Sequence, residues 1–505
     1  MKKLGILLLL FIGVLPVFGQ EEIMKQYAAG IDQPEMKEIL SILASDALEG
    51  RETGKRGQKM AAAFIASYFQ EIGLKPVVPT ADGKSYFQKF KLESSKAGTT
   101  YIKLGDKMFA NGSDVLYYGT ANLDAPMEGQ TVFVGKGTDE EYASVNTEGK
   151  IVVIEGSDGF FQQWRVARDK AYENGASLAI IIAKDSDDDF NKMVKHYGGY
   201  FMSSRLGFKK EDKDQNSGAF LVGPTTAAAL LSSTSDKIAK AVEENKPDKI
   251  KGSSIEYLTK REVTTVETEN VLGYLEGTDK KDEIVVVTGH YDHIGKQGEE
   301  INNGADDDGS GTTSVLKIAK AFVQAKKEGH GPRRSMLFMT VTGEEKGLLG
   351  SEYYTDHPIF PLENTVVDLN IDMVGRTDEA HKDNRNYVYL VGSDRLSSEL
   401  DELSKKANNE FTHLDLDYTY NDENHPDRIY YRSDHWNFAK HNVPIIFYFN
   451  GTHEDYHRPT DTVDKIEFDL LQERAQLVFY TAWVIANRDN RLVVDKPQEE
   501  NVEQH

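Results

Sequence analysis

The sequence predicts an α/β fold, a mixed central sheet flanked by helices, and three observations carry that prediction. From Glu256 onward there are four short, largely apolar runs, at 284–288, 336–341, 366–371 and 443–449, as strands buried on both faces should read. An amphipathic stretch of helical length lies at about 310–325, with Asp308 near its start, and a last long helix is expected over about 469–486. Strand, loop and helix then recur in that order along the second half of the chain.

Taken from the start, residues 1–19 have Lys2 and Lys3, an apolar run to Val17 and then Gly19, the pattern of a cleaved secretory signal. A membrane anchor is the alternative, but the run falls short of the ~20 residues a span needs, and no later segment is apolar enough. Residues 20–110 form the first part of the main domain. They contain a polar, glycine-bearing loop over 45–54 and an amphipathic helix over 58–73, with Met60, Phe64, Tyr68 and Ile72 on one face and Gly73 placed to end it. Residues 111–254 read as a separate, smaller α/β insertion with buried strands near 149–156 and 177–183 and an acidic loop over 185–189. Residues 255–490 complete the main domain, and 491–505 form a polar tail.

Composition narrows the function. The chain has 505 residues, 39% hydrophobic and 28% charged, enough for a sizeable core under a soluble surface. A formal net charge of −23 argues against nucleic acid, whose phosphates it would repel. There is no cysteine, so disulfides, thiolate ligands, a cysteine nucleophile and a lipidated cysteine after the signal are all excluded. Any metal must be held by His, Asp and Glu, and the expected compartment is periplasm or exterior.

Open α/β sheets bind ligands at the carboxyl edge of their strands, so the strand ends are where chemistry is expected. The first run leads to His290-Tyr291-Asp292-His293. A lone His after a strand is usually only a satisfied polar residue, but an Asp two positions on could take the proton of its second ring nitrogen. The following loop holds Asp306-Asp307-Asp308, three carboxylates that repel one another unless cations neutralise them, and otherwise a solvated helix cap. The second run ends in Glu344-Glu345, side by side at a strand end: one can hold a metal while the other faces water as a general base. The third ends in Asp372, costly to bury unpaired. The fourth is followed by Tyr456-His457. Each piece alone is weak. Together, successive strands deliver sulfur-free ligands to one edge of one sheet, and such a set suits two divalent ions sharing a carboxylate.

In these motifs the sequence resembles the secreted di-zinc exopeptidases related to bacterial leucyl aminopeptidase and glutamate carboxypeptidase. The resemblance rests on His290-Tyr291-Asp292, Gly304 through Gly311, Gly343 through Ser351, Asn370-Ile371-Asp372-Met373 and Tyr456-His457, with family-like segments at Arg51-Glu52-Thr53-Gly54 and Arg432-Ser433-Asp434-His435. It implies a zinc-aminopeptidase-like fold, a peptide substrate and two metal ions, with zinc favoured. One ion would be held by His290, Asp307 and Asp372, and the other by Asp307, Glu345 and His457. Glu344 would be the general base for a bridging water, Asp292 would orient His290, and Tyr456 would steady the oxyanion. Arg432 and Asp434 would line the site. The insertion resembles a protease-associated domain, although the cysteine usual in that region is absent. An aminopeptidase is the leading expectation. A carboxypeptidase or dipeptidase of the same family, a single-zinc glutaminyl cyclase and a non-catalytic binding protein are the alternatives.

Overall fold

The computed structural model describes residues 17–209, 218–422 and 424–497, so nearly all of the expected signal and most of the polar tail lie outside the described residues. The chain divides into two compact units, one formed by 1–91 with 267–505, the other by 92–266. The second unit therefore begins before and ends after the expected 111–254. The reason is that the two passages between units are made inside long strands, Phe87–Leu104 and Ser254–Leu275, which no turn signal interrupts.

The first unit is built on one mixed sheet. Its strands are β1 (Ser254–Leu275, through its last residues), β2 (Lys280–His290), β3 (Arg334–Val341), β4 (Thr365–Ile371), β5 (Tyr387–Val391), β6 (Asp415–Asp417) and β7 (Ile445–Phe449). Their order across the sheet is β6-β5-β7-β4-β2-β3-β1. The central four, β7, β4, β2 and β3, are parallel; β1 runs antiparallel to β3 and β5 antiparallel to β7, while β6 is parallel to β5. All four predicted strands are present. Every residue of β3, β4 and β7 is buried, which is why they read as unbroken apolar runs rather than alternating ones.

Helices α1 (Val17–Ala28), α2 (Gln33–Leu43), α3 (Arg56–Ile72), α4 (Gly311–Lys327) and α5 (Phe468–Asn487) join one core with one face of this sheet. Helix α3 ends at Gly73 as expected, with φ 101°. Of the expected stripe only Ile72 is buried. Ala61, Ala62, Ile65, Ala66 and Phe69 face the core, while Met60 is exposed and Phe64 and Tyr68 are only half-buried. Two alanine-rich rows let this helix approach closely, and the larger side chains flank the contact. The polar loop over 45–54 contains a short 3₁₀ segment, Asp46–Arg51. No helix among the described residues is long and apolar enough to cross a membrane.

The second unit is also α/β. The strands Met127–Phe133, Ile151–Glu155, Leu178–Ile182 and Gly218–Val222 are parallel neighbours, with Val115–Gly119 antiparallel at one end. Alternate residues feed two cores: Val153, Ile180 and Phe220 on one face, Ile154, Ile181 and Leu221 on the other. The expected acidic loop is instead the start of helix Asp187–Met202. Ser186 caps it, accepting from the Asp189 N–H, and the three aspartates occupy its first turn, where the helix dipole favours negative charge.

Candidate metal centre

The register of the parallel strands brings the predicted residues together. His290 at the end of β2 pairs with Val341 at the end of β3, and Ile371 at the end of β4 pairs with Tyr448 of β7. The loops leaving these strands therefore start at one level. Into them the chain places His290, Glu344, Glu345, Asp372 and, further on, His457. Asp307 comes from the loop before α4.

Of the three adjacent aspartates only Asp307 is aimed at the cluster. Asp308 turns back to accept from the N–H groups of His290 (3.0 Å), Gly311 (2.8 Å) and Met373 (3.1 Å), tying three loops together. Asp306 accepts from the Gly375 N–H at 2.6 Å and meets His453 Nε2 at 3.2 Å. The carboxylate of Asp461 in turn accepts from the Asp306 and Asp307 N–H groups, both at 3.1 Å or less.

The carboxylate of Asp307 divides between two groups. Its Oδ1 is 3.2 Å from His290 Nε2, which is 3.5 Å from Asp372 Oδ1. Its Oδ2 is 3.1 Å from His457 Nε2 and 3.8 Å from His293 Nδ1. Glu345 completes the second group, with Oε2 3.1 Å from His457 Nε2 and Oε1 2.8 Å from His293 Nδ1. Among the described residues two sets of side chains thus stand close enough to hold an ion: His290, Asp307 and Asp372, and His293, Asp307 and Glu345. Sequence reasoning passed over His293. It follows His290 in the same motif, and only the folded loop shows that it turns to the same carboxylates.

These donors fit a divalent cation. Asp307 Oδ2, Glu345 Oε1 and His293 Nδ1 are buried without hydrogen-bond partners, a costly state that a shared cation relieves. The potential of the site points the same way. Burial opposes charge on His290 and His457, yet the surrounding carboxylates hold His290 well above the usual histidine range and lift His457 to about 10. Burial likewise opposes charge on Asp307, but His293, His290 and His457 keep it well below the usual range.

Glu344 is different from its neighbour. Its Oε2 is 3.9 Å from His290 Nε2, and its pKa is pushed well above the carboxylate norm, first by burial and then by Glu345, Asp372 and Asp434 against the pull of His290. Asp292 holds this end of the loop from behind. Its main-chain carbonyl, not its carboxylate, lies 3.1 Å from His290 Nδ1, and the carboxylate is 3.8 Å away. The carboxylate instead accepts from Thr53 Oγ1 (2.7 Å) and the Glu344 N–H (3.3 Å). The buried Arg51 guanidinium donates to the carbonyls of Leu43, Tyr291, Asn303 and Gly304, joining the two ligand loops.

The Arg432-to-His435 segment contributes through a residue the sequence did not single out. Ser433 Oγ donates to Asp372 Oδ2 at 2.6 Å and accepts from Asn370 Nδ2 at 2.9 Å. Asp434 lies buried, accepting from Ser351 Oγ at 2.5 Å, with its pKa pushed up to about 7, mainly by burial. Arg432 donates to Tyr456 Oη at 3.4 Å. A cavity beside the cluster is walled by Asp307, Glu344 and Asp372 on its polar side, by Met373, Ile429, Phe447 and Phe449, and by Arg432 and Tyr456.

A parallel α/β sheet with histidines and carboxylates at its carboxyl edge, opening on a cavity, is the layout of a metal-dependent hydrolase. Residues 270–482 match the model of peptidase family M28, and through that segment the chain is similar to this family. It is 23% identical over 467 residues to aminopeptidase YwaD of Bacillus subtilis (strain 168), a match covering 90% of this chain and 85% of that protein. It is 31% identical over 215 residues to a "Probable leucine aminopeptidase" of Arthroderma otae, 41% of this chain and 55% of that protein. The aminopeptidase from Aneurinibacillus sp. strain AM-1 shares the fold at a TM-score of 0.57 and 19% identity, over 94% of this chain and 98% of that one. BSAP, a zinc aminopeptidase from Bacillus subtilis, does so at 0.50 and 19%, over 93% and 99%.

Proposed function

We propose that this chain is an exported aminopeptidase that hydrolyses the N-terminal peptide bond of peptides with two divalent ions, zinc by donor type. The observation that carries the reading is Asp307, whose two oxygens face two separate donor sets. His290, Asp307 and Asp372 would hold one ion and Asp307, Glu345 and His457 the other. Such ions, when bound, act as Lewis acids that polarise a carbonyl and make water a stronger acid.

The chain's own groups do the rest. Glu344 takes a proton from the attacking water and hands it to the leaving amine; a carboxylate held above its ordinary pKa is the stronger base for the first half of that exchange. Tyr456 lines the cavity, where its hydroxyl would serve as the donor that stabilises the oxyanion of the tetrahedral intermediate. Asp292, fastened by Thr53 and the Glu344 N–H, sets the loop that carries His290 relative to the one that carries Glu344. The relatives named as aminopeptidases support reading the substrate from its N-terminus. Export is supported by the signal-like residues 1–19, and the motifs near 149–182 support reading the second unit as a protease-associated domain.

The test is hydrolysis of aminoacyl-anilides with added metal and a chelator control. Glu344→Ala is expected to lose on the order of 10²–10⁴-fold in turnover while keeping its metal. Release of C-terminal residues from N-acylated peptides, with anilides untouched, overturns the aminopeptidase reading. Unchanged hydrolysis by Glu344→Ala overturns the role of that residue.

A further inference from the structure

His293 stands in none of the roles assigned above, and its surroundings are unusual for a buried histidine. It is wholly buried, yet neither ring nitrogen has a hydrogen-bond partner. The contrast with His435 is direct: that ring, equally buried, donates from Nε2 to the Tyr430 carbonyl at 2.7 Å. His293 Nδ1 approaches Glu345 Oε1 at 2.8 Å, the distance of a hydrogen bond without its alignment, and Glu345 Oε1 is itself without a partner. A nitrogen and an oxygen that crowd together without bonding to each other are placed as two donors to a third body.

The remaining distances agree. Around Asp307 Oδ2, the Glu345 carboxylate (Oε1 toward His293, Oε2 toward His457), His293 and His457 the recorded donor separations are 2.8, 3.1, 3.1 and 3.8 Å. Four donors at zinc bonding distance in a tetrahedron stand about 3.4 Å apart. The loop has also been cleared for this ring. A Cβ on Gly304 would come within 2.6 Å of His293 Cγ and Cδ2, and Gly304 has φ +56°, so a side chain there is excluded twice over.

We infer that His293 is a fourth protein ligand at the position bounded by Asp307, Glu345 and His457. The two ion positions are then unequal. One is closed by four side chains, as sites that hold zinc permanently are, while the other, with His290, Asp307 and Asp372, keeps a place open for an exchangeable group. This rests on the two-ion reading above. It adds that the chain keeps one ion firmly and loses the other more readily.

Full-length protein stripped with chelator and titrated with Co²⁺ tests this by stoichiometry, affinity and visible spectrum rather than by activity. Wild type is expected to bind two equivalents, the first tightly and with the intense absorption of a four-coordinate ion. His293→Ala is expected to weaken that first event by at least on the order of 10²-fold, since loss of even an indirect partner of a ligand costs 10–100-fold, and to dim its absorption. His293→Gln, which keeps most of the side-chain volume, should behave likewise; both variants are compared in metal-free form for an unchanged melting temperature, so that collapse of the pocket is not mistaken for loss of a ligand. Two equivalents in wild type with unaltered affinity and spectrum in a folded variant overturn the role of His293 alone. A single equivalent in wild type overturns the two-ion reading, and this inference with it.

Discussion

In the second unit, the parallel strands Ile151–Glu155, Leu178–Ile182 and Gly218–Val222 run out into Gly156, Ala183 and Gly223, and the carboxylates nearby serve the backbone. Glu141 accepts from the N–H groups of Lys136 and Thr138, and Asp187 accepts from Thr225. In the first unit the same architecture ends in His290, Glu344, Glu345 and Asp372, and their acceptors point at one another. Both candidate ion-holding sets among the described residues belong to the first unit. The edge of an α/β sheet therefore supplies an opportunity and no more. It becomes a site only where side chains that the backbone does not satisfy are packed beneath it.

The largest effect that separates the two sheets should come from Ile180→Ala. This side chain is fully buried in the second unit, and its removal should cost about 3 kcal/mol of that unit's stability. Metal content and anilide hydrolysis at 25 °C should remain as in wild type. Loss of bound metal in folded Ile180→Ala would break the separation of roles.

A smaller effect concerns acid. Burial depresses the pKa of His435 to about 3, below the ordinary 6.5. A histidine held neutral in the fold while it protonates in the unfolded chain contributes its stability above pH 6.5 and loses it as the pH falls from there toward 3. Denaturant unfolding at pH 8 and pH 5 should show a fall in stability about 2 kcal/mol larger for wild type than for His435→Gln. Equal falls would mean that the ring is charged in the native state.

The smallest effect sharpens the picture of the first sheet's edge. Ser433→Ala removes the hydroxyl that holds Asp372 Oδ2 and should weaken metal retention by about 10-fold in a chelator competition, with little change in melting temperature of the metal-free protein. Retention equal to wild type would show that Asp372 is held without it.

Much of the edge was legible before folding. His290, Asp307, Glu345, Asp372 and His457 each stand just past an apolar run or in a motif loop, and a strand end is a place a linear pattern marks. Ser433 and Thr53 were not legible in their roles, because their partners Asp372 and Asp292 lie 61 and 239 residues away along the chain. The buried face of α3 was misread for a related reason. Hydrophobic size marked Met60 and Phe64, while the neighbouring layer selected the small residues beside them. The aspartates at 187–189 read as a loop because acidic residues favour both turns and helix starts, and only the cap at Ser186 distinguishes the two.

The chain by itself determined the fold class, the absence of cysteine chemistry and the residues that end each strand, because these depend on local composition and on periods of two and 3.6 residues. Tertiary structure decided which of three consecutive aspartates faces the cluster, that the Asp292 carbonyl rather than its carboxylate meets His290, and that His293 joins the donors beside Glu345. Those outcomes depend on which lone pairs converge once strands far apart in sequence are brought into register, and no linear spacing encodes a convergence.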